Sequence, residues 1–191
     1  APATDAGAPA AEGQLKLDGK TGCVRVASAS LHLPDGPFTA EGWLNGRNFQ
    51  GRRAFLNKTE TSEWGLFVSD GKPALSVFLG DKYVNAKADR ALLEPGGWHH
   101  LAGVYDGSEI RLYQDGKLVA RPKGAGSRKP NDLPLLIGAD PDQDGKPTSF
   151  FDGAIDEVRI SRVARYAGEE FTPLRRFEPD ADTVMLHHLD R

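Results

Sequence analysis

Apolar and polar residues alternate along most of this chain. Leu15 and Leu17 flank Lys16, Val24 and Val26 flank Arg25, and Phe38 and Ala40 flank Thr39. A period of two is the mark of a β-strand, because successive side chains point to opposite faces. The pattern predicts strands over Gln14–Leu17, Cys23–Val26, Phe38–Leu44, Ala54–Asn57, Trp64–Val68, Ala74–Phe78 and Tyr83–Ala86. Further strands are predicted over Leu135–Gly138, Ala154–Ser161 and Val184–Leu189. The stretch Trp98–Ala120 holds a meander, with Trp98, His100, Ala102 and Val104 on one face of its first strand and Ile110 and Leu112 together on the next. No stretch carries a convincing amphipathic helical period.

Turn chemistry punctuates these runs. Asp-Gly occurs at 18, 35, 70, 106, 115, 144 and 152. Both central positions of a type I′ turn need positive φ, so Asp-Gly between alternating runs is a strong hairpin signal. Many short strands with regular turns argue an all-β class, a sandwich or barrel. No internal repeat is visible, which argues against a propeller.

The 191 residues suit one domain, and the formal net charge of −3 gives no support for a nucleic-acid partner or an anionic membrane. No apolar run approaches the ~18 residues of a membrane span. The single cysteine, Cys23, lies in an alternating run and reads as a buried free thiol. Residues 1–13, rich in Ala, Pro and Gly, read as a linker or a mature N-terminal tail, and 14–191 as the domain.

Five motifs then occur in order: Phe38-Thr-Ala-Glu-Gly-Trp43, Gly97-Trp-His-His-Leu-Ala-Gly-Val-Tyr-Asp-Gly107, Leu112-Tyr-Gln-Asp-Gly116, Leu136-Ile-Gly138 and Asp152-Gly-Ala-Ile-Asp-Glu-Val-Arg-Ile160. Together they resemble the laminin G-like domains of the concanavalin A-like lectin/glucanase superfamily. The resemblance implies a two-sheet antiparallel jelly-roll sandwich with its first and last strands side by side. It further implies a module of a larger secreted protein that binds glycans or protein ligands, and in many cases a calcium ion. Fold alone does not give function.

Candidate ligand contacts are the aromatics not tied to those core motifs: Trp64, which follows the polar run Lys58–Glu63, with Tyr83 and Phe49. Trp43 and Trp98 read as core. The acids Asp140, Asp142 and Asp144 stand at alternate positions before Gly145, as at the start of a calcium loop, but Phe151 occupies the place of an EF-hand's last glutamate. Period two puts Asp156 on the face of Val158 and Ile160, where a buried carboxylate needs hydrogen bonds or a metal. Asp18 and Asp190 join the calcium candidates, because closure of a jelly roll would bring the first and last strands together. The pairs His99-His100 and His187-His188 cannot each chelate one ion, since adjacent strand residues diverge. Arg121–Lys129 reads as a solvated basic loop.

Catalytic signals are sparse. The superfamily's glucanases carry Glu-x-Asp on one strand face, and the one such triplet here, Glu178-Pro-Asp180, contains a proline that suits a loop. The reading is a non-catalytic, carbohydrate-binding module from a larger exported, extracytoplasmic protein, with glycan or neighbouring domains as partners and one structural calcium ion as cofactor. The alternatives are a glycoside hydrolase or lyase on the same fold, and a structural or adhesive domain without a free ligand.

Overall fold

The computed structural model describes residues 13–190. The expected tail, apart from Gly13, lies outside the described residues. The strands in chain order are β1 (Leu15–Asp18), β2 (Val24–Val26), β3 (Phe38–Gly46), β4 (Arg52–Asn57), β5 (Trp64–Ser69), β6 (Lys72–Leu79), β7 (Lys82–Lys87) and β8 (His99–Tyr105). They continue as β9 (Ile110–Gln114), β10 (Lys117–Ala120), β11 (Leu135–Ile137), β12 (Asp140–Pro141), β13 (Pro147–Thr148), β14 (Asp152–Ser161) and β15 (Thr183–His187). No α-helix occurs among the described residues.

Two antiparallel sheets face each other, as the alternation requires. One runs β1-β14-β3-β8-β9-β10, with β15 also on β14. The other runs β2-β11-β4-β5-β6-β7. The core between them takes one residue in two from each strand: Phe38, Ala40 and Leu44 from β3, Trp64, Leu66 and Val68 from β5, Leu75 and Val77 from β6, and Leu101 and Tyr105 from β8. The turns at Asp70-Gly71 and Asp115-Gly116 have positive φ at both residues, as a type I′ turn demands.

The terminal strands do not pair with each other. β14 is ten residues long, and its free edge is shared: β1 pairs with Asp152–Ile155 and β15 with Val158–Ser161. The expected side-by-side arrangement is thus an end-to-end one. Gly13, just before β1, meets Asp190, just after β15; a Cβ on Gly13 would stand 2.6 Å from Asp190 Oδ1.

Between those two halves β14 carries a β-bulge. Asp156 pairs with Trp43 but Arg159 with Glu41, so two residues face one, and Glu157 takes φ 49°. The bulge resets the alternation. Asp156 therefore lies on the outer face beside Trp43, and the expected core-side position beside Val158 and Ile160 is corrected.

That outer face is itself covered. The segment after β14 lays Ala164, Tyr166 and Phe171 over Ala102, Val104 and Tyr113. Trp43 is buried there, its Nε1 donating to Leu174 O at 2.9 Å. The His100 face of β8 thus packs under this strap and not between the sheets. Trp98 is half-buried, not core as its motif suggested.

Candidate functional site

The strap leaves the outer face of the six-stranded sheet as the open one. The hairpin β6–β7 turns at Gly80-Asp81 and places Ser76 opposite Asn85 and Phe78 opposite Tyr83. Val77 and Val84 point inward, so Ser76, Asn85 and Tyr83 point outward. With Arg52, Thr59, Glu60, Thr61 and Asp140 they line an open cleft of about 390 Å³. Such a volume falls within the ~300–1,000 Å³ of small-ligand sites.

Its walls are held by short polar contacts. Ser76 Oγ donates to Asn85 Oδ1 at 2.5 Å. Tyr83 accepts from the Ser62 backbone N–H at 3.2 Å, its hydroxyl donates to Ser62 O at 3.3 Å, and its ring meets Phe78 edge-on at 4.9 Å. Burial raises the Tyr83 hydroxyl's pKa, and the carboxylates of Glu60 and Asp140 raise it further. Arg52 lies 3.6 Å over the Phe67 ring. Asn85 Nδ2 and the Glu60 carboxylate have no partner among the described residues.

Of the three predicted aromatics, only Tyr83 is here. Trp64 is fully buried between the sheets, 5.3 Å from Phe38, and shares its face with Leu66 and Val68. Phe49 is buried against Phe151, its ring filling the space that a side chain at Gly46 would need. Neither can stack on a sugar from the core, so both are corrected. Arg52, Thr59, Glu60, Thr61, Ser76 and Asn85 were missed. For Ser76 and Asn85 a signal existed: a tight turn at Gly80-Asp81 fixes their register.

The six predicted calcium acids are scattered. Asp140 borders the cleft. Asp142 Oδ1 caps the β12–β13 turn, accepting from the backbone N–H of Asp144 and Lys146, and Asp144 is exposed there. Asp18 accepts from the Lys20 and Thr21 backbones at its own turn, which lowers its pKa. Asp190 pairs with Arg176 at 3.0 Å. Asp18 and Asp190 lie at opposite ends of β1, so closure separates them. Asp156 feels the charge of Asp190 from the far end of the chain: burial pushes Asp156 up to about 6, with the charges of Glu157 and Asp190 adding to it. No group of three His, Cys, Asp or Glu side chains able to hold a metal ion occurs among the described residues. The acids present do not fit the calcium centre that the resemblance implies.

A family model described as the concanavalin A-like lectin/glucanases superfamily, of laminin G type, matches residues 18–169. The chain belongs to this superfamily. No curated protein sequence matches it. Solved structures share the fold at low identity. Domains LG4-5 of the mouse laminin alpha1 chain align at TM-score 0.64 and 20% identity, over 87% of this chain and 47% of that one. This chain thus spans about half the length of that laminin fragment. A CBM40 of the Ruminococcus gnavus IT-sialidase, bound to alpha2,3 sialyllactose, aligns at 0.64 and 13%, over 80% and 93%. Domain 4 of an extracellular arabinanase from Geobacillus stearothermophilus, in complex with arabinotriose, aligns at 0.62 and 16%, over 79% and 71%.

The superfamily includes glucanases, so the buried carboxylates of this member matter. Glu41 on β3 is fully buried; its Oε1 accepts from Arg159 Nε at 2.9 Å and Nη2 at 2.7 Å, and its Oε2 from the Tyr166 hydroxyl at 2.8 Å. His100 Nε2 stands 3.2 Å from Oε2, off a good hydrogen-bond direction. Burial works against the charge, but His100 and Arg159 outweigh it and hold Glu41 below the usual carboxylate range. This is a closed network, sealed by the strap. Glu178 and Asp180 lie in that strap and on no strand, with Asp180 gripped by Arg165 at 2.8 and 2.7 Å. Arg128, expected in a solvated loop, is buried over Phe38 and donates to Pro34 O. Among the described residues no helix is long and apolar enough to cross a membrane.

Proposed function

We propose that this chain is a non-catalytic carbohydrate-binding module of a larger extracytoplasmic protein, and that it holds its sugar in the cleft between β4, β6 and β7. The cleft carries the reading. It brings the Tyr83 ring and a free donor at Asn85 Nδ2, both on β7, beside a free acceptor at Glu60 on the β4–β5 loop. Sugars present hydroxyls that donate and accept along with apolar C–H faces, so a mixed site of this kind suits them. The ligands of two structural neighbours, sialyllactose and arabinotriose, support a carbohydrate as ligand.

A glycan array tests this, followed by calorimetry on any hit. Asn85→Ala and Tyr83→Ala should each weaken binding at least tenfold while the Asn85 variant keeps its melting temperature. Binding that survives both substitutions would move the site elsewhere.

A further inference from the structure

Asp140 borders the cleft and is the best placed of the predicted calcium ligands, yet its carboxylate is already answered by a cation of the chain itself. Oδ2 accepts from Arg52 Nε at 2.8 Å and lies 2.7 Å from Nη2. Oδ1 accepts from the Thr59 hydroxyl at 2.7 Å, and the backbone oxygen from the Thr148 hydroxyl at 2.9 Å. Asp140 is buried, and Arg52 is fixed from its other side by the Phe67 ring. Calcium gathers six to eight oxygens at 2.3–2.6 Å. A guanidinium seated on Oδ2 puts positive charge where the ion would go. The nearest sequence candidates, Asp142 and Asp144, belong to a separate turn, where Asp142 is spent on backbone N–H groups.

We propose that Arg52 stands in for a metal ion at Asp140, so that the cleft needs no calcium. Arg52 neutralises a buried carboxylate and ties β4 to the β12 loop. Both are tasks an ion would perform by ligating oxygens from the two segments. A forked, planar guanidinium suits them because it grips a carboxylate in fixed geometry and never deprotonates. The link to sugar binding rests on the reading given under Proposed function; the link to stability does not.

The test uses chelator-stripped protein, with thermal melts and glycan retention measured with and without millimolar calcium. Calcium should add no stability that depends on Asp140, and retention of any glycan found on the array should be the same in both. Arg52→Met should lower the melting temperature by several degrees, and Arg52→Lys should recover part of that loss by restoring the charge without the fork. A calcium-dependent rise in the wild type that Asp140→Asn abolishes would overturn the proposal, and so would glycan retention that requires calcium. A rise that Asp140→Asn leaves intact places the ion away from Asp140 and supports it. If no glycan is retained at all, the reading of the cleft fails, while the melts still decide the role of Arg52.

Discussion

Asp156 sits across the ladder from Trp43, on the outer face of the seven-stranded sheet. The partner residue is an indole, and the neighbouring charges include the carboxylates of Glu157 and Asp190, so ionising Asp156 is unfavourable in the folded state. Burial pushes its folded value up to about 6, above the ordinary aspartate value of about 3.9. The folded protein therefore binds the extra proton between those values, and stability falls as pH rises through that window. The Asp156→Asn variant should lose this slope and melt higher than wild type at pH 7, by an amount on the order of 1–3 kcal/mol. Melting curves of both proteins from pH 4 to pH 7 check it; parallel curves would show that Asp156 ionises freely.

The Glu41–Arg159 pair makes a second prediction. Both residues are buried, and the guanidinium also lies 4.3 Å from the Phe177 ring. Arg159→Ala leaves the Glu41 carboxylate buried without its main cation, which costs about 3–5 kcal/mol. Guanidinium titration of the variant reads the loss directly. A change under ~1 kcal/mol would mean that water reaches Glu41 through the strap.

The tryptophans should separate cleanly. Trp64→Ala removes a fully buried indole from between the sheets and should cost about 3–5 kcal/mol. Trp98 is half-buried, and Trp98→Ala should cost about 1 kcal/mol. Equal losses in urea melts would contradict the placement of one of them.

Much of the fold was legible because alternation and turn chemistry are local. Each predicted strand from Phe38–Leu44 onward falls on an observed one, and the Asp-Gly pairs sit at bends or strand ends, except Asp152-Gly153, which opens β14 itself. Trp64 shows how a local cue misleads. The polar run Lys58–Glu63 suggested a rim, while the alternation Trp64, Leu66, Val68 already placed the indole with the core. What escaped depends on longer-range facts. Glu157 is a non-glycine residue in the left-handed region, and nothing in its sequence marks it; one extra residue there turned Asp156 from the core face to the outer one. The partner of Asp140 was equally hidden, since Arg52 lies 88 residues away in the chain. Tyr83 alone of the three aromatic candidates lines the cleft, because period two on the edge strand β7 turns it away from Val84 and the core.

The shared edge of β14 has one more consequence. Gly13 and Asp190 touch, so the chain enters and leaves the sandwich at a single point on its surface. Neighbouring entry and exit are the geometry that tolerates circular permutation and insertion. A host polypeptide can depart from its own path at that point, build the whole jelly roll, and resume where it left off. The open cleft belongs to the opposite sheet, so a domain attached at this junction would leave the cleft unobstructed.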